Sequence, residues 1–89
     1  LEESKFDLSL PLFEKALVIA RAENNPYWLT HILFGMGAAY NGSGNTEKAK
    51  ALLGQALSTS EEIGYISKAD EIKNYMKEHN FEVKNETLN

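Results

Sequence analysis

The chain has 89 residues, of which 43% are hydrophobic and none is cysteine, so the sequence excludes a disulfide framework and a cysteine-ligated zinc cluster. Its 13 acidic and 9 basic residues are interspersed and give a net charge of -4. This charge argues against nucleic acid as a partner, because phosphate binding needs a concentrated basic surface. No apolar run approaches the roughly 18 residues of a membrane span, and no charged and then apolar leader opens the chain. We expect one soluble, cytoplasmic domain that does not contact a membrane, cut or processed from a longer protein.

Four segments repeat apolar residues with the period of a helix, and none alternates like a strand, so the predicted fold class is all-α. The predicted helices span about residues 7–23, 26–40, 46–63 and 67–79. The second is apolar almost all round, which is typical of a central helix with neighbours on more than one side. We expect a helical domain over residues 1–79 and a flexible C-terminal tail over residues 80–89.

Helix ends are marked by turn-forming residues. Asn25 suits an N-cap and Pro26 a first helical residue. The breaker cluster over residues 41–45 has the length of a turn between antiparallel helices, and Gly64 ends the third helix in the usual way. The pattern predicts helix hairpins joined by short turns.

The chain also repeats itself with a spacing near 40 residues, which is typical of a stacked helical array. Phe13, Ala16 and Leu17 recur as Leu53, Ala56 and Leu57, whereas Thr30, Leu33 and Met36 recur one residue short of that spacing, as Ala69, Ile72 and Tyr75.

The best-formed unit resembles a tetratricopeptide repeat. Its pattern is Leu33-x-x-Met36-Gly37-x-x-Tyr40-x-x-x-Gly44-x-x-x-x-Ala49-x-x-x-Leu53-x-x-Ala56-Leu57. Two positions depart from the family pattern: Leu53, where an aromatic is preferred, and Glu61, where a proline often follows. The resemblance covers residues 4–79, with one full repeat over 30–63, a half repeat before it and a single helix after it.

The resemblance implies antiparallel helix hairpins, about four helices in all, stacked as a right-handed superhelix that binds a protein or peptide. A spacing nearer 40 than 34 is similar to the branch that includes the peptide-pheromone receptors of Gram-positive bacteria. One alternative is therefore the C-terminal repeat region of a bacterial signalling-peptide regulator. Another is a self-association module that forms a homodimer through the apolar end faces around the first and last helices.

In this family the first helix of each pair lines the concave groove, which gives six candidate partner-binding residues. They are His31, Phe34, Ala38 and Asn41 on the second helix, and Lys73 and Lys77 on the fourth. The spacing of 3, 4 and 3 residues places the first four on one helix face. Asparagine can bind a peptide backbone and lysine attracts a carboxylate, although Ala38 stands where a carboxylate clamp would carry asparagine.

Each candidate also has a plainer interpretation. Lys73 and Lys77 suit solvated positions, Asn41 suits the turn before Gly42, and Phe34 suits packing against a neighbouring unit. Trp28 and Tyr27 suit packing against the adjacent hairpin.

The sequence gives no sign of catalysis. His31 and His79 have no metal-spaced partner, and no nucleophile elbow or phosphate loop is present. Adjacent acids such as Glu61 and Glu62 point apart on a helix. We therefore expect a non-catalytic scaffold that uses neither a metal nor a cofactor.

Overall fold

The computed structural model describes residues 2–81, with side chains from Leu10 onward, and folds them entirely as helices and turns. The helices are α1 (Glu2–Ala22), α2 (Pro26–Gly42), α3 (Thr46–Glu62) and α4 (Ile66–Glu78). No strand occurs among these residues, which confirms the predicted all-α fold. Most of the predicted tail, residues 82–89, lies outside the described residues.

Helix α1 begins earlier than the sequence predicted. It starts at Glu2 rather than near residue 7, and it passes through Pro11 without a break. A proline inside a helix removes one donor to the carbonyl four residues back, which made Pro11 look like a residue of the first turn. The structure corrects that interpretation to one continuous helix of 21 residues.

All four helices end in the same backbone turn. A residue in the left-handed region closes each helix: Asn24, Gly44, Gly64 and Asn80, with φ of 57°, 94°, 73° and 65°. The N–H of the next residue donates to the carbonyl five residues back, as in Asn25 to Ala20 at 3.1 Å and Tyr65 to Ser60 at 2.8 Å. This arrangement is the Schellman motif, which satisfies carbonyls at the helix end.

Two of these turns also cap the helix that follows. The Oδ1 atom of Asn25 accepts a hydrogen bond from the N–H of Trp28 at 3.1 Å, and Asn45 does the same for Lys48 at 3.3 Å. An N-cap of this kind satisfies one of the first free N–H groups of a helix. The turns therefore set where α2 and α3 begin.

Helix α2 is central, as its composition predicted, and packs against α1 on one side and α3 on the other. One buried cluster joins α1, α2 and α3: Ala20, Ile32, Met36, Tyr40 and Ala49. A second joins α2, α3 and α4: Leu33, Leu53, Ala56, Ile72 and Met76. Phe81, just after α4, is half-buried and packs against both clusters, so it belongs with the helical core.

The structural repeat is 40 residues at the start of α4, one more than the sequence alignment gave for this helix. The turn at Asn24 and the turn at Gly64 are 40 residues apart, as are the first residues of α2 and α4. Buried Ile32 corresponds in this register to buried Ile72, and buried Met36 to buried Met76. A shift of one residue rotates a helix face by about 100°. The correction therefore changes which residues of α4 lie beside the face of α2 that carries Phe34.

Candidate functional site

The candidate site lies where one face of α2 meets α4. His31, Phe34, Ala38 and Asn41 follow one face of α2, and three of them contact α4 or the residue before it. His31 is exposed, whereas the other three are half-buried. We call the surface formed by this face and the adjoining face of α4 the groove.

At the N-terminal end of α2, aromatic contacts surround Tyr65, the residue before α4. His31 Nε2 lies 3.2 Å from the Tyr65 hydroxyl, and the Tyr27 and Tyr65 rings have centroids 5.3 Å apart. Tyr27 thus packs against the unit that follows, which agrees with its plainer interpretation.

In the middle of the groove, Phe34 packs edge-on against Tyr75 of α4, with ring centroids 5.5 Å apart and an interplanar angle of 90°. The Lys68 ammonium lies 5.5 Å from the centre of the Phe34 ring. Such a cation is attracted to the negative face of an aromatic ring. Phe34 therefore already contacts a cation within the chain.

At the C-terminal end of α2, Asn41 holds the same tyrosine from the other side. Its Nδ2 donates to the Tyr75 hydroxyl at 3.1 Å and lies 3.3 Å from His79 Nδ1, whose ring packs 4.2 Å from that of Tyr75. The turn after α2 is held by backbone bonds, including the one from Asn45 N to Tyr40 O at 2.9 Å. The Asn41 side chain thus joins α2 to α4 and does not build the turn.

Beside Phe34 the groove opens into a pocket of about 470 Å³. Its walls combine two aromatic rings with polar and acidic side chains from one face of α4. They are Phe34 and Tyr75, with Ser67, Asp70, Glu71, Asn74 and Glu78.

The pocket carries more negative than positive charge. Glu71 pairs with Lys68 at 2.7 Å. Asp70 and Glu78 are exposed, and neither forms an ion pair with any residue that the structure describes. Two carboxylates of this pocket are therefore left without a cation from residues 10–81.

The structure does not bring Lys73 and Lys77 into this groove. Lys73 Nζ lies 3.6 Å from Glu61 Oε2 near the end of α3, and Lys77 lies one turn further along the same exposed flank. In the 40-residue register, Lys73 and Lys77 correspond to Leu33 and Gly37, the stripe of α2 that α3 covers. They belong to the outer side of α4.

The residues of α4 that match His31, Phe34 and Ala38 are instead Glu71, Asn74 and Glu78, and all three line the pocket. The one-residue correction thus replaces two lysines at the groove by two glutamates. The signal that would have found them was the turn, because Asn24-Asn25 and Gly64-Tyr65 fix the register where the apolar pattern does not.

Other kinds of site are sparsely supported. Among the residues whose side chains the structure describes, no three His, Cys, Asp or Glu group closely enough to hold a metal ion. In the same part of the chain every buried polar side-chain atom has a partner; Thr30, for example, donates to the Pro26 carbonyl at 2.8 Å. Over the described ranges, no helix is both long and apolar enough to cross a membrane.

The fold and the groove define a helical-repeat array, a class of protein whose surfaces serve interaction. A family model described as tetratricopeptide repeat matches residues 1–62, so the chain belongs to the tetratricopeptide repeat family. The match ends with α3 and leaves α4 outside it. Searches of curated proteins and of solved structures found no match. Members of this family are typically non-catalytic scaffolds for protein interaction.

Proposed function

We propose that the groove along α2 and α4 binds an extended segment of a partner protein or peptide. The observation that carries this proposal is the pocket beside Phe34, which opens between the two helices where the repeats of this family present their concave side. A pocket with an aromatic floor and a polar rim suits a side chain that anchors a partner.

Residues of the groove would contribute in different ways. Phe34 gives apolar contact area, and Ala38 leaves room beside it for a peptide backbone. Asn41 spends its amide group on Tyr75, so its Oδ1 is the atom it would offer to a backbone N–H. Lys73 and Lys77 have no part in this proposal because they lie on the outer side of α4.

The test is a selection of random displayed peptides on the chain, followed by NMR mapping of the selected peptides on the isotope-labelled protein. We expect shifts of backbone resonances along α2 and α4. Ala38→Gln, which fills the groove, should weaken binding, whereas Ala51→Gln, the same change at an exposed position of α3, should not. Selected peptides that bind both variants equally and shift resonances elsewhere would contradict the proposal.

A narrower form of this proposal is a receptor for a signalling peptide within a bacterial regulator, which the 40-residue register supports. The sequence of the parent gene tests it. A DNA-binding helix-turn-helix encoded ahead of these repeats is the expected result for a transcription regulator, and its absence would remove that form of the proposal.

A second candidate function is self-association through α1. Leu12 is 67% and Val18 68% exposed, and Ile19 is exposed as well. Leu12 corresponds to Leu52 of α3, which is half-buried against both clusters, so this face of α1 has the composition of one that takes a neighbouring helix. Burial of such apolar side chains against each other stabilises association.

The two ends of the array differ in this respect. The outer flank of α4 carries Asp70, Lys73, Lys77 and Asn80, where α2 has the buried Thr30, Leu33, Gly37 and Tyr40. We therefore propose pairing of α1 with α1 of a second copy and not of α1 with α4. Sedimentation equilibrium tests it: we expect a dimer that Val18→Lys disrupts and Ala51→Lys leaves intact, and a monomer at all concentrations would refute it.

A further inference from the structure

We propose that the partner segment is basic, and that one of its lysine or arginine side chains enters the pocket beside Phe34. This inference rests on the proposed function and specifies the chemistry of the partner. It is opposite in sign to the sequence expectation, in which lysines of α4 attract a carboxylate of the partner.

The shape of the pocket fits a long side chain with an apolar stem and a charged end. Phe34 and Tyr75 supply an aromatic wall against which the methylene groups of lysine or arginine pack. Asp70, Glu71 and Glu78 place carboxylates at the rim. Glu71, Asn74 and Glu78 follow one another at intervals of three and four residues, so they form one stripe along α4.

Lys68 shows the same recognition inside the chain. Its ammonium lies 2.7 Å from Glu71 Oε1 and 5.5 Å from the centre of the Phe34 ring, so one cation already combines a carboxylate with this aromatic face. Lys68 engages only Glu71 among the three acids. Asp70 and Glu78 are left for a cation that comes from a partner, because residues 10–81 supply none.

Charge on the α2 side of the groove does not oppose this preference. His31, Phe34, Ala38 and Asn41 carry no fixed charge, so the field of the groove is set by three carboxylates and the single ammonium of Lys68. A basic peptide is attracted to this surface, whereas an acidic peptide meets like charge at the rim and is rejected.

The experiment uses three synthetic peptides of one serine, glycine and leucine framework. At the same two positions they carry arginine, its uncharged isostere citrulline, or glutamate. Titration into the isotope-labelled chain gives the affinity and the location of binding. We expect the arginine peptide to bind in the groove, about fivefold or more tightly than the citrulline peptide, since a cation–π contact and exposed ion pairs each contribute up to about fivefold.

Glu78→Gln tests the assigned carboxylate, and Glu62→Gln makes the same change at an exposed position of α3 away from the groove. Glu78→Gln should weaken the arginine peptide about two- to fivefold and leave the citrulline peptide unchanged, because an exposed ion pair contributes at most about 1 kcal/mol. Glu62→Gln should change neither. Raising the salt from about 0.05 M to about 0.3 M should reduce the advantage of arginine by screening.

The outcomes separate this inference from the proposed function. A glutamate or citrulline peptide that binds as well as the arginine peptide, at a surface blocked by Ala38→Gln, overturns the basic partner and supports the groove. An arginine peptide that fails to bind, or that binds outside the groove, also overturns the basic partner, while the selection of random peptides decides the groove independently. Equal weakening by Glu78→Gln and Glu62→Gln would show a general charge effect and overturn the assignment of the pocket.

Discussion

Replacement of Gly37 by alanine should destabilise the fold, although alanine is the better helix former. A Cβ atom at this position would lie 2.8 Å from both Cγ and Cδ2 of Leu53 and 3.4 Å from its backbone nitrogen. Ordinary carbon contacts are about 3.5 to 4.0 Å. Leu53 is 0% exposed, so it has no open space into which to move. Forcing a methyl group into a packed core costs about 1 to 3 kcal/mol.

The gain in helix propensity from glycine to alanine, about 1 kcal/mol, offsets part of that cost. We expect a net loss of about 1 kcal/mol in the free energy of unfolding, which is about 4 to 8 °C in Tm for a domain of this size. The matched control is Gly54→Ala in α3, where a Cβ would meet nothing within 4 Å. That variant should be more stable than the parent by up to about 1 kcal/mol.

The measurement is urea unfolding of both variants followed by far-ultraviolet circular dichroism. The same chemical change should shift the midpoint in opposite directions at the two positions. If Gly37→Ala proves as stable as Gly54→Ala, then Leu53 yields without cost, and the close approach of α2 to α3 does not depend on the glycine.

Three further changes test the caps, the core and the contacts between α2 and α4. Asn45→Ala removes the side-chain acceptor for the N–H of Lys48 and should cost about 1 kcal/mol in thermal unfolding. Ile72→Ala, at a fully buried position, should cost about 2 to 5 kcal/mol in urea unfolding. Ile66→Ala, where the isoleucine is 64% exposed, should stay within about 0.5 kcal/mol, and similar losses for the two would contradict the assigned core. Tyr75→Phe removes the acceptor for Asn41 Nδ2 and should cost about 0.5 to 1.5 kcal/mol; a cost that persists in an Asn41→Ala background would show that the bond is not its source.

Much of the fold could be predicted because local chemistry fixes it. Asn25 and Pro26 mark the start of α2, and Gly64 marks the turn before α4, since only a few residue types suit these backbone positions. The face of α2 with His31 and Phe34 followed from helical periodicity alone. These features depend on neighbours in the sequence, which are visible without a structure.

The register of α4 could not be settled by the apolar pattern because two alignments bury similar side chains. Tyr75 and Met76 are adjacent and both apolar, so either matches Met36 of α2. In the structure Met76 is buried in the core, whereas Tyr75 is half-buried and contacts Phe34. The choice depends on how α4 packs against α2 and α3, and its functional consequence is large because it decides between lysines and glutamates at the groove.

The identical turns after α1 and α3 make the segment between them an exchangeable module. Asn25 and Tyr65 occupy the same place in turns with the same backbone bond to the residue five before, so residues 26–65 begin and end at equivalent joints. A gene duplication or deletion of that 40-residue length joins one helix end to a helix start of matching geometry. Copies of such a module can therefore be gained or lost without a new turn having to arise, which allows the length of the groove to change while the packing between helices stays the same.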